Sequence, residues 1–132
     1  MALDNHPLKA KAFQLQSLIA CAEFTGGQEQ SIPYADGFQD SLELLKEARE
    51  QKAGVFLVGN GGSAAVVSHI FNDFINVARL RAFTLHESSL ATCMANDYGY
   101  ENVFSKPLAT LAQANDLLIA VSSSGKSRNI RN

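Results

Sequence analysis

Two loops carry the residue types that could bind an anion. Gly59-Asn60-Gly61-Gly62-Ser63 follows one short apolar run, and Ser122-Ser123-Ser124-Gly125-Lys126-Ser127 follows another. Glycine lets the backbone approach a ligand and adopt positive φ, and serine hydroxyls donate hydrogen bonds. Each loop opens a predicted helix, whose first N–H groups and positive dipole end attract anions. Together the loops predict a pocket for a phosphorylated, hydroxyl-rich small molecule, although either one alone also fits an ordinary turn.

The elements that must position these loops alternate along the chain. Val55–Val58 and Asp116–Val121 predict strands buried in a sheet, and Arg81–Leu85 predicts a weaker strand between them. Strands that alternate with helices predict a three-layer α/β domain with a parallel sheet, of the flavodoxin-like or Rossmann-like kind. Ligands bind such sheets where the strands end, which is where both loops lie. Only three strands fit before Asn132, so we expect either a fragment or a sheet that another chain completes.

Helix boundaries in this part of the chain follow from capping residues and breakers. Ser88 or Ser89 is expected to cap a short helix over Leu90–Ala95, and Asn96–Gly99 predicts a turn. Helical periodicity over Val103–Ala114 predicts the next helix.

The first 53 residues predict two helices separated by the loop Thr25–Pro33. Apolar residues recur at helical spacing over Leu8–Ala22 and again over Phe38–Ala48. Each one-sided apolar face needs a surface to lie against, in the same domain or in another subunit. We therefore assign residues 1–53 to oligomerisation and residues 54–132 to the α/β domain.

Composition excludes several classes of protein. A chain of 132 residues is the size of one domain, and a net charge of −2 gives no basic excess for nucleic-acid binding. The longest aliphatic run, Val55–Val58, is too short to span a membrane. Residues 1–7 lack the pattern of a secretory signal, and Cys21 and Cys93 lie far apart in no motif. These features favour a reduced, cytoplasmic protein.

Two nucleotide-binding patterns match weakly. Gly59–Ala64 fits G-x-G-x-x-A, but the acid expected after the next strand falls late, at Glu87. Ala120–Ser127 fits a relaxed phosphate-loop pattern in which Ala120 replaces the first glycine. We expect no nucleotide cofactor.

A more specific signal comes from three blocks that occur in one order. They are Val55–Ser63 followed by His69, then Asn96–Tyr100 with Val103–Lys106, and then Asp116–Ile130. Together they resemble the sugar isomerase (SIS) domain family, and within it the phosphoheptose isomerases, from about Phe38 onward. The resemblance implies an SIS-type fold, a homotetramer, and aldose–ketose isomerisation of a phosphorylated sugar such as sedoheptulose 7-phosphate. That reaction proceeds through an enediol by acid–base catalysis and serves lipopolysaccharide heptose biosynthesis.

The resemblance also implies roles for individual residues. The phosphate would be held by Ser63, Ser122, Ser123, Ser124 and Ser127. Asn60, Gly61 and Asp97 would line the sugar site. His69 matches a ligand of the zinc-containing members, and Asp73 falls at the position of the family's glutamate base. Lying side by side at i, i+4, the two could bind zinc or form a His–Asp surface pair.

The chain also departs from the family pattern. Asp73 is shorter than glutamate, Val66 and Val77 stand where the family has an acid and an arginine, and Lys106 replaces another arginine. The family's catalytic histidine and zinc-binding glutamine belong to a C-terminal helix that lies beyond Asn132. A second hypothesis therefore stays open: a non-catalytic SIS-domain protein that acts as an oligomeric binding factor, like the bacterial protein that associates with the replication initiator.

Overall fold

The computed structural model describes residues 7–132, and the chain divides into two units at Glu43–Leu44, inside the second helix. In chain order the elements are α1 Pro7–Ala20, β1 Phe24–Thr25, β2 Ser31–Ile32, α2 Tyr34–Glu50, β3 Gly54–Gly59, α3 Gly62–Asn76, β4 Arg81–Thr84, α4 Ser88–Tyr98, a 3₁₀ turn Tyr100–Asn102, α5 Ser105–Leu111, β5 Leu117–Val121 and α6 Arg128–Arg131.

Both predicted N-terminal helices form; the first unit contains α1 and the first part of α2, and α1 buries none of its residues. The prediction of a plain loop between them is wrong in part, because β1 and β2 form a short antiparallel pair in which Phe24 faces Ile32. The Gly26 N–H closes this pair by donating to the Gln30 carbonyl at 2.8 Å. Over residues 7–132, the helices are all too short or too polar to cross a bilayer.

The second unit begins at Leu44, within α2, and has the predicted α/β fold, built on a parallel three-stranded sheet in the order β4-β3-β5. All six residues of the central strand β3 are buried. The prediction that β5 is also fully buried is wrong, since Leu118 is 53% exposed and Ala120 is exposed as well. As an edge strand, β5 is covered on one face and open on the other.

Side chains of β3 alternate between the two faces of the sheet and fill two halves of the core. Phe56 and Val58 pack with Val103 and Phe104 on one face. On the other face Leu57 packs with Val67 of α3, and Val55 packs with Ala48 of α2. This central strand thereby fixes the position of the loop that leaves its carboxyl end.

The boundaries of α4 differ from the prediction in two ways. The cap is Glu87 rather than Ser88 or Ser89, because the Glu87 carboxylate accepts from the N–H groups of Ser89 and Leu90 at 3.1 and 2.8 Å. These hydrogen bonds lower the pKa of Glu87 to about 2. The helix also continues through the predicted turn to Tyr98 and ends at Gly99, where φ is 85°.

The next helix, α5, ends at Leu111, earlier than predicted, because the chain turns towards β5. The Asp116 carboxylate stabilises this turn by accepting from the Gln113 N–H at 2.8 Å and from the Gly54 N–H of β3. These hydrogen bonds lower the pKa of Asp116.

Candidate functional site

The two predicted loops leave neighbouring strands side by side. In the parallel pairing of β3 with β5, Gly59 lies opposite Val121, and these are the last residues of the two strands. The chain then enters Asn60–Ser63, which we call the glycine loop, and Ser122–Ser127, which we call the serine loop. Adjacent carboxyl ends of parallel strands form the ligand-binding edge of an α/β sheet.

Backbone geometry explains the glycines of the first loop. A Cβ on Gly59 would lie 2.9 Å from the carbonyl carbon of Ser63, so the chain can fold back only where a side chain is missing. Gly61 has a φ of 50° and is the N-cap of α3, whose first turn receives no side-chain cap. The Ser63 and Ala64 N–H groups donate to the Asn60 carbonyl at 2.9 and 3.3 Å, and the positive end of the helix dipole faces the loop, where it would attract an anion.

Serine side chains hold the second loop in shape while keeping their own protons. The Gly125 N–H donates to Ser122 Oγ at 3.0 Å, and the Lys126 N–H donates to Ser124 Oγ at 3.2 Å. A hydroxyl that accepts one hydrogen bond can still donate its proton to a ligand oxygen. Ser123 is exposed, and Ser127 is half-buried at the start of α6.

A reciprocal pair of amides ties the two loops together. Asn60 Nδ2 donates to Asn129 Oδ1 at 2.9 Å, and Asn129 Nδ2 donates to Asn60 Oδ1 at 2.8 Å. The Tyr100 hydroxyl also donates to Asn60 Oδ1, at 3.2 Å. Asn129 is only 5% exposed, and it lies 69 residues from Asn60 in sequence. The sequence analysis missed the roles of Asn129 and Tyr100, since no local pattern links residues so far apart.

The side chain of His86 supports the start of the glycine loop. Its Nε2 accepts from the Gly59 N–H at 3.2 Å, and its ring meets Phe104 edge-on at 5.7 Å. His86 lines a cavity of about 170 Å³ with Asn60, Tyr100 and other residues of this edge. Burial lowers the pKa of His86, and its Nδ1 atom is buried without a hydrogen-bond partner among residues 7–132. A neutral ring at neutral pH fits this environment, because only a neutral imidazole can accept at Nε2.

The pair formed by His69 and Asp73 lies elsewhere on α3. His69 Nε2 lies 3.7 Å from Asp73 Oδ2, at the predicted spacing i, i+4. The His69 side chain is 80% exposed and the Asp73 side chain 60% exposed. Asp73 follows Ser63 by ten residues, which is a rise of about 15 Å along a helix. Among residues 7–132, no group of three or more His, Cys, Asp or Glu side chains could hold a metal ion. Because zinc sites use three or four protein ligands, this pair does not make a zinc site by itself.

Asp97, the other residue assigned to the sugar, is exposed on α4 and bonds within its own helix. It accepts from Asn96 Nδ2 at 2.9 Å and from the Cys93 thiol at 3.5 Å. The hydrogen bond from the thiol to this carboxylate raises the pKa of Cys93. The structure thus joins the glycine and serine loops directly and leaves His69, Asp73 and Asp97 outside their hydrogen-bond network.

A model of the SIS domain matches residues 30–131. The chain belongs to the SIS domain family. The match includes both loops, the amide pair that joins them and the whole parallel sheet.

Curated proteins similar to this SIS-domain chain include phosphoheptose isomerases. That of Helicobacter pylori strain 26695 is 35% identical over 118 residues, with 82% of this chain and 62% of the relative aligned. That of Thermodesulfovibrio yellowstonii is 34% identical over 106 residues, with 70% of this chain and 53% of the relative aligned. The chain thus spans between half and two-thirds of the length of these relatives.

Solved structures show the same fold. The phosphoheptose isomerase of Neisseria gonorrhoeae has a TM-score of 0.69 at 27% identity and aligns with 94% of this chain and 59% of its own. That of Francisella tularensis has a TM-score of 0.71 at 24% identity, and the alignment covers 95% of this chain and 66% of the Francisella chain. This fold agrees with the three-layer α/β architecture predicted from the sequence.

Proposed function

We propose that this chain binds a phosphorylated sugar at the edge formed by the glycine and serine loops. The observation that carries the proposal is the pairing of Gly59 with Val121, which starts both loops side by side, together with the Asn60–Asn129 amides that lock them. The positive end of the α3 dipole and the serine hydroxyls would bind the phosphate, and the cavity at His86 would take part of the polyol. The phosphoheptose isomerase relatives support this choice of ligand class.

We propose further that the protein acts as an aldose–ketose isomerase on sedoheptulose 7-phosphate or a close analogue. A base removes the proton from the carbon beside the carbonyl group, an enediol forms, and the proton returns to the neighbouring carbon. Asp73 is our candidate for this base. Because it stands about 15 Å along α3 from Ser63, we propose that Asp73 serves the loops of another copy. A homotetramer would provide this arrangement, and the apolar side chains exposed on α1 support association.

A second candidate function is binding without catalysis, and two exposed valines, one on α3 and one at its C-cap, favour it. Val66 is 53% exposed and Val77 is 77% exposed, at the positions where the family pattern has an acid and an arginine. Exposed valines cannot move protons or bind phosphate, but they suit contact with a protein partner. In this alternative the loops bind a sugar phosphate as a regulatory ligand, and Asp73 has no chemical role.

Binding can be tested by thermal unfolding with sedoheptulose 7-phosphate, NAD and ATP as separate ligands. At about 100 times its dissociation constant a ligand adds about 2.7 kcal/mol to the free energy of unfolding. We expect stabilisation by the sugar phosphate alone. Stabilisation by NAD or ATP alone would contradict the proposed ligand class.

Catalysis can be tested with two substitutions of the same residue in the full chain. Asp73→Glu restores the longer side chain of the family pattern and should raise turnover of sedoheptulose 7-phosphate, whereas Asp73→Asn should abolish it. Asp40→Asn removes an exposed carboxylate from α2 and serves as the matched control. Ligand binding without turnover in the wild type and in Asp73→Glu would favour the non-catalytic function. Zinc content measured on the same samples would show whether His69 and Asp73 recruit a metal in the assembled protein.

A further inference from the structure

A second concave surface, which includes no residue of the glycine or serine loop, lies between α4 and α5. We call it the α4–α5 groove. Its volume is about 520 Å³, which is within the range of small-molecule pockets. Eight residues line it, including Leu90, Met94 and Tyr98 of α4 and Lys106, Pro107 and Leu111 of α5. None of the eight is among the predicted sugar, phosphate or metal ligands, so the proposed function leaves the groove without a role.

The groove has a floor that belongs to the core and an apolar rim that is exposed. Leu90, Met94 and Tyr98 form one stripe on α4, because they are spaced at i, i+4 and i+8. Leu90 and Met94 are half-buried and pack against the hydrophobic core, whereas Tyr98 is 49% exposed. On the α5 side Pro107 is buried and Leu111 is 52% exposed. The stripe along α4 is about 12 Å long, since a helix rises about 1.5 Å per residue.

A single charged side chain stands at one end of this stripe. Among the eight lining residues only Lys106 carries a charge, and its Nζ lies 4.9 Å from the centre of the Tyr98 ring. This is a cation–π contact. Within residues 7–132, Lys106 has no ion-pair partner. The ring covers one side of the ammonium group, so its other N–H groups can donate to an anion.

The charge and the size of the groove indicate the class of its occupant. One ammonium group complements one carboxylate, whereas a phosphate monoester carries about −1.5 to −2 at neutral pH. A standard protein interface uses about 20–30 residues a side, several times the eight that line this groove. From these observations we infer that the α4–α5 groove binds a small amphiphilic carboxylate, whose acyl chain contacts Leu90, Met94 and Leu111 and whose carboxylate pairs with Lys106.

The length of the stripe limits the length of the acyl chain. An extended chain of about eight carbons is similar in length to the stripe, given C–C bonds of about 1.5 Å. Each CH₂ that the groove buries should tighten binding by up to about fourfold. Carbons beyond the end of the groove would stay in water and add little.

The experiment titrates the full chain with octanoate, and with octanol as the uncharged counterpart, below the concentrations at which micelles form. Binding is followed by NMR of the methionine methyl groups, because Met94 is in the groove and Met1 provides the only other such signal. We expect octanoate to shift the Met94 signal and to bind more tightly than octanol. In the series butyrate, hexanoate, octanoate and dodecanoate, affinity should rise up to octanoate and then level off.

Two substitutions separate the roles of the charge and the apolar rim. Lys106→Gln should weaken octanoate binding about tenfold, the effect of losing one charge-assisted hydrogen bond, and should leave octanol binding unchanged. Leu111→Ser should weaken both ligands. Lys52→Gln and Leu44→Ser are the matched controls, because each replaces an exposed residue of the same type outside the groove.

Four outcomes would overturn the inference. In the first, Lys106→Gln binds octanoate as tightly as the wild type does. In the second, affinity keeps rising for chains longer than the groove, as it would for non-specific adsorption. In the third, the Met94 signal shifts with protein concentration alone, because a second copy then occupies the groove. In the fourth, an acidic amphipathic peptide displaces octanoate and binds more tightly. Because the groove shares no residue with the two loops, sedoheptulose 7-phosphate binding should be the same in Lys106→Gln and in the wild type.

Discussion

The amide pair that joins the two loops should make a measurable contribution to stability. Replacing Asn129 by Ala removes two side-chain hydrogen bonds to Asn60, at 2.8 and 2.9 Å, from a position that is 5% exposed. Each bond contributes about 1 kcal/mol net, and the half-buried Asn60 amide left without its partner costs about 1 kcal/mol more. We expect Asn129→Ala to lower the free energy of unfolding by about 2–3 kcal/mol.

A double-mutant cycle isolates the interaction itself. Asn60→Ala, Asn129→Ala and the double variant are unfolded in urea and followed by circular dichroism. The double variant should be more stable than the sum of the single effects implies, by a coupling of about 1–2 kcal/mol. Asn72→Ala serves as the control, because its amide is exposed and bonds to the Ser68 carbonyl one turn away in the same helix. Effects that add to within about 0.5 kcal/mol would refute the argument that this pair links the loops.

Three further perturbations test the elements around the site. Gly59→Ala places a Cβ 2.9 Å from the Ser63 backbone and should cost about 1–3 kcal/mol in urea unfolding, whereas Gly62→Ala, where the added Cβ meets nothing within 4 Å, should be neutral or stabilising. Glu87→Gln should lower the melting temperature at pH 7. Because the pKa of Glu87 is lowered from 4.5 to about 2, the stabilisation by its carboxylate is present above pH 4.5 and is lost as the pH falls towards 2. If the melting temperature of Glu87→Gln fell between pH 4.5 and 2 just as it does in the wild type, the role of Glu87 as the cap would be contradicted. His86 has a pKa lowered from 6.5, so stability should be complete above pH 6.5 and fall below it as the unfolded chain gains the proton first; His86→Asn should flatten the melting-temperature profile between pH 5 and 6.5.

The sheet and both loops could be predicted because local signals agree with the tertiary structure there. The run from Val55 to Val58 is apolar throughout and becomes the central strand, where both faces are buried. The glycines that follow meet real constraints, namely the close approach at Gly59 and the positive φ at Gly61. Where the chain's composition and its packing demand the same structure, the sequence alone is informative.

The boundaries of α4 could not be predicted, because tertiary contacts and a long side chain determine them. Asn96 and Asp97 are common in turns, yet the helix continues past them, and the Tyr98 ring packs under Lys106 Nζ at 4.9 Å. The predicted caps were the serines, which are the usual choice, but the longer Glu87 reaches the same N–H groups and accepts from both serine hydroxyls. Hairpin β1–β2 was missed because each of its strands has only two residues.

The residues of the candidate site also differ in how far local sequence patterns could predict them. The positive φ of Gly61 agrees with the glycine pattern of the loop, whereas the phosphate-binding role of Ser63 remains a prediction. Asn129 was missed as a partner of Asn60, since a buried amide pair across 69 residues leaves no periodicity to detect. The distance between Asp73 and the loops was also not considered, although ten residues along a helix rise by about 15 Å.

The most direct test of the central claim is an NMR titration of the chain with sedoheptulose 7-phosphate, with sedoheptulose itself as the reference. Binding at the paired loops predicts that the backbone amides of Gly61, Gly62 and Ser122–Ser127 shift together along one saturable curve. The unphosphorylated sugar should leave them unchanged. Shifts confined to one loop, or equal shifts with the unphosphorylated sugar, would contradict the account.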